Sequence, residues 1–182
     1  MPRLFTALDL PSRSVDALRA FRENADLPVR ARWTPIDNHH ITLRFIGEVD
    51  EDRAAPIEKA LTAVRPAPFQ VNPLGLGVLP SRRKPRVLTV RIDPTEPLRA
   101  LYSALQNTLA TVGVDTEDRS YRPHITLARL QEVRAERLYE VLKDLEGPSL
   151  APFEANEYLL YESTLTPDGA VHTIRSRFPL MA

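Results

Sequence analysis

Cysteine is absent from the sequence, which excludes disulfides, thiolate metal sites and a cysteine nucleophile but leaves the redox compartment open. Net charge is absent too, because 24 Lys plus Arg balance 24 Asp plus Glu over 182 residues. No field of the whole molecule draws in long nucleic acid, so any anion must be met by local groups. No apolar run reaches the ~18 residues that would read as a membrane span. The acid at Asp9 comes too early for a signal-peptide core, and the cytoplasm is the expected address. Glycine is scarce at six residues, against 17 prolines.

What is present is ordinary globular material, 43% hydrophobic and 26% charged, long enough to bury a real core. Proline presets its own dihedral and is excluded from helix interiors, so its clusters mark boundaries. Those at Pro66 and Pro68, Pro80 and Pro85, Pro94 and Pro97, and Pro148 and Pro152 cut the chain into short elements. Helical periodicity runs through Val15, Leu18, Phe21; Ile57, Ala60, Leu61, Val64; Leu98, Leu101, Leu105, Leu109, Val112; and Leu138, Val141, Leu142, Leu145, each giving one apolar stripe. Strands are predicted at about 3–9, 30–34, 40–46, 69–78, 86–92, 115–120, 124–130, 153–162 and 170–178. The last two, joined by Thr166-Pro167-Asp168-Gly169, form a hairpin.

An internal repeat organises these elements. His40-Ile41-Thr42-Leu43 recurs as His124-Ile125-Thr126-Leu127, and each copy is followed at the same distance by Glu-Val, as Glu48-Val49 and Glu132-Val133. At the same offset of about 84 residues, Ala67-Pro68-Phe69 matches Ala151-Pro152-Phe153, Asp9 matches Asp93, Ile57 matches Val141 and Leu61 matches Leu145. Residues 1–182 are therefore expected to form a single two-lobed domain built by internal duplication. Each half reads strand, helix, strand, strand, helix, strand, the split βαβ pattern. The predicted class is α+β, with two antiparallel sheets backed by helices and related by an approximate twofold axis. Whether each half folds on itself or trades strands is left open.

Alternate side chains of a strand share a face, so His40 and Thr42 point one way and Ile41 and Leu43 the other, as do their counterparts in the second copy. The apolar pair must pack on the helices, which leaves an imidazole and a hydroxyl together on the open face. Duplication explains repeated core leucines; repeated His and Thr have no packing reason to persist. A twofold axis brings the pairs across one cleft, one motif per lobe. Two histidines flanking a phosphorus atom suit in-line displacement: a neutral imidazole takes the nucleophile's proton, and an imidazolium protonates the leaving oxygen. With an ordinary pKa near 6.5 both states are accessible around neutral pH. Thr42 and Thr126 would donate to the non-bridging oxygens.

Paired H-x-T-x motifs at this spacing are similar to those of the two-histidine (2H) phosphoesterase superfamily. Arg3-Leu4-Phe5 through Leu10-Pro11, Arg32-Trp33-Thr34-Pro35, Phe45-Ile46-Gly47-Glu48 and Arg122-Pro123-His124-Ile125-Thr126-Leu127-Ala128-Arg129 resemble its branch of RNA 2′,3′-cyclic phosphodiesterases, first named 2′-5′ RNA ligases. The likeness continues through Gly75-x-Gly77, Lys84-Pro85-Arg86-Val87-Leu88 and Phe178-Pro179-Leu180. The resemblance implies a bilobed α+β fold and hydrolysis of RNA 2′,3′-cyclic phosphate ends to 2′-phosphate, with His124 activating water and His40 protonating the departing 3′ oxygen. It implies no cofactor and no metal, and as partners RNA ends or small cyclic nucleotides; no membrane is involved and a monomer is expected. It further implies that Arg129 contacts phosphate and that Phe45 stacks on a base. Strict alternation puts both on the face opposite the histidines, so a bulge or strand end must intervene. The chain departs from the commoner pattern at Arg44 and Thr89, neither a proton-transfer group.

Surface roles are expected for His39, which has no threonine two residues on, and for His172, which belongs to no motif. The cations Arg82, Arg83, Lys84 and Arg86 either hold the RNA segment beside the cleaved end or form a solvated loop. Three other readings compete: a nucleotide- or RNA-end-binding module without turnover, 2′-5′ RNA ligation as the reverse reaction, and a metal-dependent hydrolase. The last is weakened by only four histidines and by motifs with no carboxylate at ligand spacing.

Overall fold

A computed structural model describes residues 3–27, 29–131, 134–167 and 169–181. Glu132 and Val133 of the repeat and Asp168 of the hairpin turn lie outside the described residues. The first half holds β1 (Arg3–Leu8), α1 (Ser12–Asn24), β2 (Arg30–Trp33), β3 (Ile41–Glu48), α2 (Glu51–Leu61), β4 (Phe69–Val71) and β5 (Pro73–Pro80). The second holds β6 (Pro85–Ile92), α3 (Glu96–Thr111), β7 (His124–Gln131), α4 (Ala135–Asp144), β8 (Phe153–Ala155), β9 (Glu157–Thr166) and β10 (Gly169–Pro179). The fold is α+β, and all its strand pairs are antiparallel.

The helices form where the apolar stripes require them. On α3, Leu98, Leu101, Leu105 and Leu109 all lie fully buried, the spacing that puts four side chains on one helical face. Pro97 sits in its first turn, where a missing N–H costs nothing, and Gly113 ends it at φ 77°. Proline is a less reliable boundary in α2, where Pro56 lies inside the helix. Leu18 and Phe21 of α1 and Leu138 of α4 complete the buried helical faces, against Leu4, Leu43, Leu88 and Leu127 of the sheet.

The halves trade strands. The sheet order is β10-β9-β1-β3-β7-β6-β5, with β2 also paired to β7, so β9 joins the lobe of β1 while β5 joins that of β6. The lobe sheets meet at one residue pair, Ile41 opposite Ile125. Behind them β4 pairs with β8, Gln70 opposite Glu154. Both pairs join positions matched by the repeat, which places the pseudo-twofold axis through them. The predicted strands at 69–78 and 153–162 are each broken in two because their first three residues build this small separate ladder.

Two further expectations change. Residues 115–120 form no strand: side chains bind their backbone instead. Gln106 Nε2 donates to Glu117 O at 3.0 Å and Glu117 N–H donates to Gln106 Oε1 at 3.2 Å, while Arg44 donates to Asp115 O and pairs with Glu117 at 2.9 Å. The Asp9–Asp93 match is also not a structural equivalence, since Leu8 faces Ile41 where Val90 faces Ile125.

Candidate active site

Among the described residues one ladder pair joins the lobe sheets, and it sets the site. With Ile41 opposite Ile125 and both fully buried, the flanking residues His40, Thr42, His124 and Thr126 share the other face by alternation. All four are half-buried. The two motifs thus lie side by side at the seam, at the start of β3 and of β7.

Each imidazole is oriented from behind. His40 Nδ1 lies 2.8 Å from Asn38 O and His124 Nδ1 lies 2.7 Å from Arg122 O. A carbonyl only accepts, so Nδ1 carries the proton in both rings and Nε2 is left with the lone pair. At His40 that atom faces Thr42 Oγ1 at 2.9 Å, so the hydroxyl donates to it in the neutral state. Burial pulls the His40 pKa down to about 4, opposed by the Asn38 carbonyl and reinforced by His172, His124 and His39. Burial also lowers His124, against the Arg122 carbonyl, with the Arg122 charge adding to the fall. Both rings rest neutral at pH 7.

A bulge decides the two residues beyond the motifs. In the β1–β3 ladder Ala7 pairs with Thr42 but Thr6 with Arg44, skipping Leu43. In the β6–β7 ladder Thr89 pairs with Thr126 but Leu88 with Ala128, skipping Leu127. Each extra residue reverses the alternation, so Phe45 and Arg129 return to the face of the histidines. Phe45 is 58% exposed with its ring 5.9 Å from Phe5. Arg129 is exposed, opposite Arg32 of β2 and Val87 of β6.

The lobes differ in character around this shared plan. Phe5, Ala7, Leu159 and Tyr161 form a small apolar floor beside His40, with the Phe5 ring 4.9 Å from the His40 ring and stacked 5.2 Å from Tyr161. Around His124 the floor is polar, Thr89 being buried opposite Thr126. Gly77 faces Thr89 there, and a Cβ on it would meet Arg91 Cγ at 2.6 Å, so only glycine lets the Arg91 stem lie across the strand.

Sequence reasoning missed two histidine environments. His39 is only 6% exposed, with Nδ1 2.9 Å from Ile36 O; the turn at Ile36–Asn38 folds it inward. His172 is half-buried in the aromatic group, 5.0 Å from Phe5 and 5.5 Å from His40 between ring centres. It lies on β10, which has no counterpart in the other lobe, so no repeat signal marks it. Arg32 was visible only as part of a family-like segment. Among the described residues no three His, Asp or Glu side chains gather as a metal site, and no helix is long and apolar enough to cross a membrane.

The 2′-5′ RNA ligase superfamily model matches residues 9–164. The chain belongs to that superfamily. Among members of the 2′-5′ RNA ligase superfamily, an RNA 2′,3′-cyclic phosphodiesterase of Thermus thermophilus is 33% identical over 190 residues, covering 98% of this chain and 90% of that protein. One from Aeropyrum pernix is 33% identical over 138 residues, covering 75% and 78%. The crystal structure of E. coli LigT complexed with 3′-AMP superposes with a TM-score of 0.79 at 25% identity, covering 100% of both chains. The bilobed 2H fold is therefore that of the superfamily.

Proposed function

We propose that this chain hydrolyses 2′,3′-cyclic phosphate ends of RNA, or small cyclic nucleotides, to 2′-phosphates by two-histidine acid–base catalysis that needs no metal. The observation that supports this reading is the seam itself: Ile41 opposite Ile125 brings the His and Thr of one motif beside the His and Thr of the other on one face. The names of the relatives point to the same substrate class. We also infer a single domain built by duplication, acting as a monomer in the cytoplasm.

The unlike lobes supply a direction. Both ester oxygens of the cyclic phosphate belong to the ribose, so the leaving 3′ oxygen lies on the nucleoside side and water attacks from the other. The aromatic floor and exposed Phe45 beside His40 suit a nucleoside, with Phe45 stacking on its base. Water then enters beside His124. Its neutral Nε2 takes a proton from water, the new P–O bond forms as the P–O3′ bond breaks, and His40 gives its proton to the departing 3′ oxygen. Resting His40 is neutral; the bound phosphodiester anion, held in a partly dry cleft, favours its imidazolium and so loads the acid. Thr42 and Thr126 donate to the non-bridging oxygens, and Arg129 adds positive charge beyond the bulge.

The test is turnover of 2′,3′-cyclic mononucleotides in excess chelator, with the product identified. Full activity giving the 2′-phosphate is expected, and His40→Ala and His124→Ala should each lose about 10²–10⁴-fold. A substrate with a weakly basic leaving oxygen should partly rescue His40→Ala alone. Activity abolished by chelator and restored by a divalent ion, or rescue of His124→Ala instead, would overturn the assignment.

A further inference from the structure

Three of the four histidines place Nδ1 on a carbonyl of the preceding backbone: His39 on Ile36, His40 on Asn38 and His124 on Arg122. His172 is different. Its Nδ1 is buried and has no hydrogen-bond partner. An enclosed nitrogen without a partner is unusual in a native fold, and here it means that no carbonyl fixes which ring nitrogen carries the proton, so the outward Nε2 is not committed in advance to donating or accepting.

The placement of His172 is deliberate in physical terms. It sits on β10 opposite Ser163, and Asn38 pins that strand two residues earlier by donating from Nδ2 to Ala170 O at 2.6 Å. Its ring stands edge-on to Phe5 at 74° and to His40 at 79°. Phe5 is thus surrounded by His40, His172 and Phe45, with ring centres at 4.9, 5.0 and 5.9 Å. Phe45 and Ile174 leave apolar surface open on this lobe, 58% and 37% exposed. A flat group with apolar faces and polar edges fits such a place.

We propose that His172 reads the edge of the terminal nucleobase, hydrogen-bonding to it while Phe45 supplies the stacking face. The proposal rests on the functional reading above and extends it to a specificity residue. Burial lowers the His172 pKa, so the ring is neutral at pH 7; Nδ1 is enclosed, and the nitrogen left to meet a base edge is Nε2, a donor in one tautomer and an acceptor in the other. One nitrogen cannot meet every base edge equally well, so the residue ranks bases rather than merely holding them. It touches neither the attacking water nor the leaving oxygen in this scheme and is a binding residue.

The experiment compares wild type with His172→Phe, which keeps a ring against Phe5 and His40, and with His172→Gln, which returns a donor and an acceptor. Substrates are the four nucleoside 2′,3′-cyclic phosphates and methyl riboside 2,3-cyclic phosphate, which has no base. For His172→Phe, KM for the nucleotides should rise about 5–10-fold, the loss of one hydrogen bond. Its kcat should hold, the preference among bases should narrow, and kcat/KM for the baseless ester should not change. His172→Gln should recover part of the preference. Titration calorimetry with nucleoside 2′-phosphates and the baseless 2-phosphate should show the same split without turnover. If wild type hydrolyses no cyclic phosphate but the calorimetric split holds, the activity falls and the His172 assignment stands. Equal losses on the baseless ligand, or an unchanged ranking of bases in both variants, overturns the assignment.

Discussion

Asn38 holds His40 and the β10 strand at once: its carbonyl accepts from His40 Nδ1 at 2.8 Å, and its side-chain amide donates to Ala170 O at 2.6 Å. One residue thereby fixes the ring of the first motif and the strand that brings His172 beside it. Replacing Asn38 with Ala keeps the carbonyl and removes only the second bond. Stability should fall by about 0.5–1.5 kcal/mol in a denaturant titration, and KM for a cyclic nucleotide should rise while kcat changes little. A large fall in kcat with unchanged KM would show that the amide serves His40 rather than the strand.

The pH dependence follows from two lowered histidines. In the free protein His40, the proposed acid, titrates at about 4 and His124, the proposed base, below its ordinary 6.5. The kcat/KM profile should therefore be a bell peaking below pH 6.5, its limbs belonging to the pair. In the complex the substrate anion raises His40, so the alkaline limb of kcat should lie at higher pH than that of kcat/KM. A kcat/KM that stays flat to pH 8, measured over the full range, would contradict this state of the free enzyme.

The same burial couples pH to stability. The folded His40 binds its proton at about 4 and the unfolded one near 6.5, so between those values the unfolded chain holds more protons. Stability contributed by neutral His40 is present above 6.5 and is lost as pH falls towards 4. In His40→Gln the loss of melting temperature across this window should shrink, as scanning calorimetry at several pH values would reveal.

His39, though beside a motif, belongs to the fold. It is 6% exposed and bonded to Ile36 O, so His39→Ala should cost about 1–3 kcal/mol while turnover per folded molecule is retained. Activity lost in the fully folded variant would bring His39 into the mechanism.

Tyr158 offers a test of the packing between the two halves of the sequence. It is fully buried, and its hydroxyl donates at 2.6 Å to Leu61 O at the end of α2, tying a second-half strand to a first-half helix. Tyr158→Phe removes that bond while Leu61 O keeps the Val64 N–H at 3.0 Å, so the cost should be about 0.5–1.5 kcal/mol, with site geometry intact. Unchanged stability in urea would mean that the Val64 N–H satisfies Leu61 O by itself and the hydroxyl contributes nothing.

The local pattern of the chain already determined much of this. Leucines at helical spacing specify α3, and alternation puts His40 with Thr42 and His124 with Thr126 because side-chain direction depends on neighbouring dihedrals alone. For Phe45 and Arg129 alternation alone pointed to the wrong face, and the roles implied by the resemblance called for a bulge or a strand end, of which the structure has the bulge. Tertiary structure decided the rest. Residues 115–120 form no strand because Arg44, distant in sequence, and Gln106 of the preceding helix bind their backbone. The exchange of β5 and β9 between lobes leaves every strand's own pattern unchanged, so no local signal distinguishes it from separate halves. His172 meets His40 only because β10 extends one lobe and Asn38 reaches it. Local dihedrals and periodicity fix what an element is, whereas which element lies beside it is a matter of long-range register, settled when the whole core is buried at once.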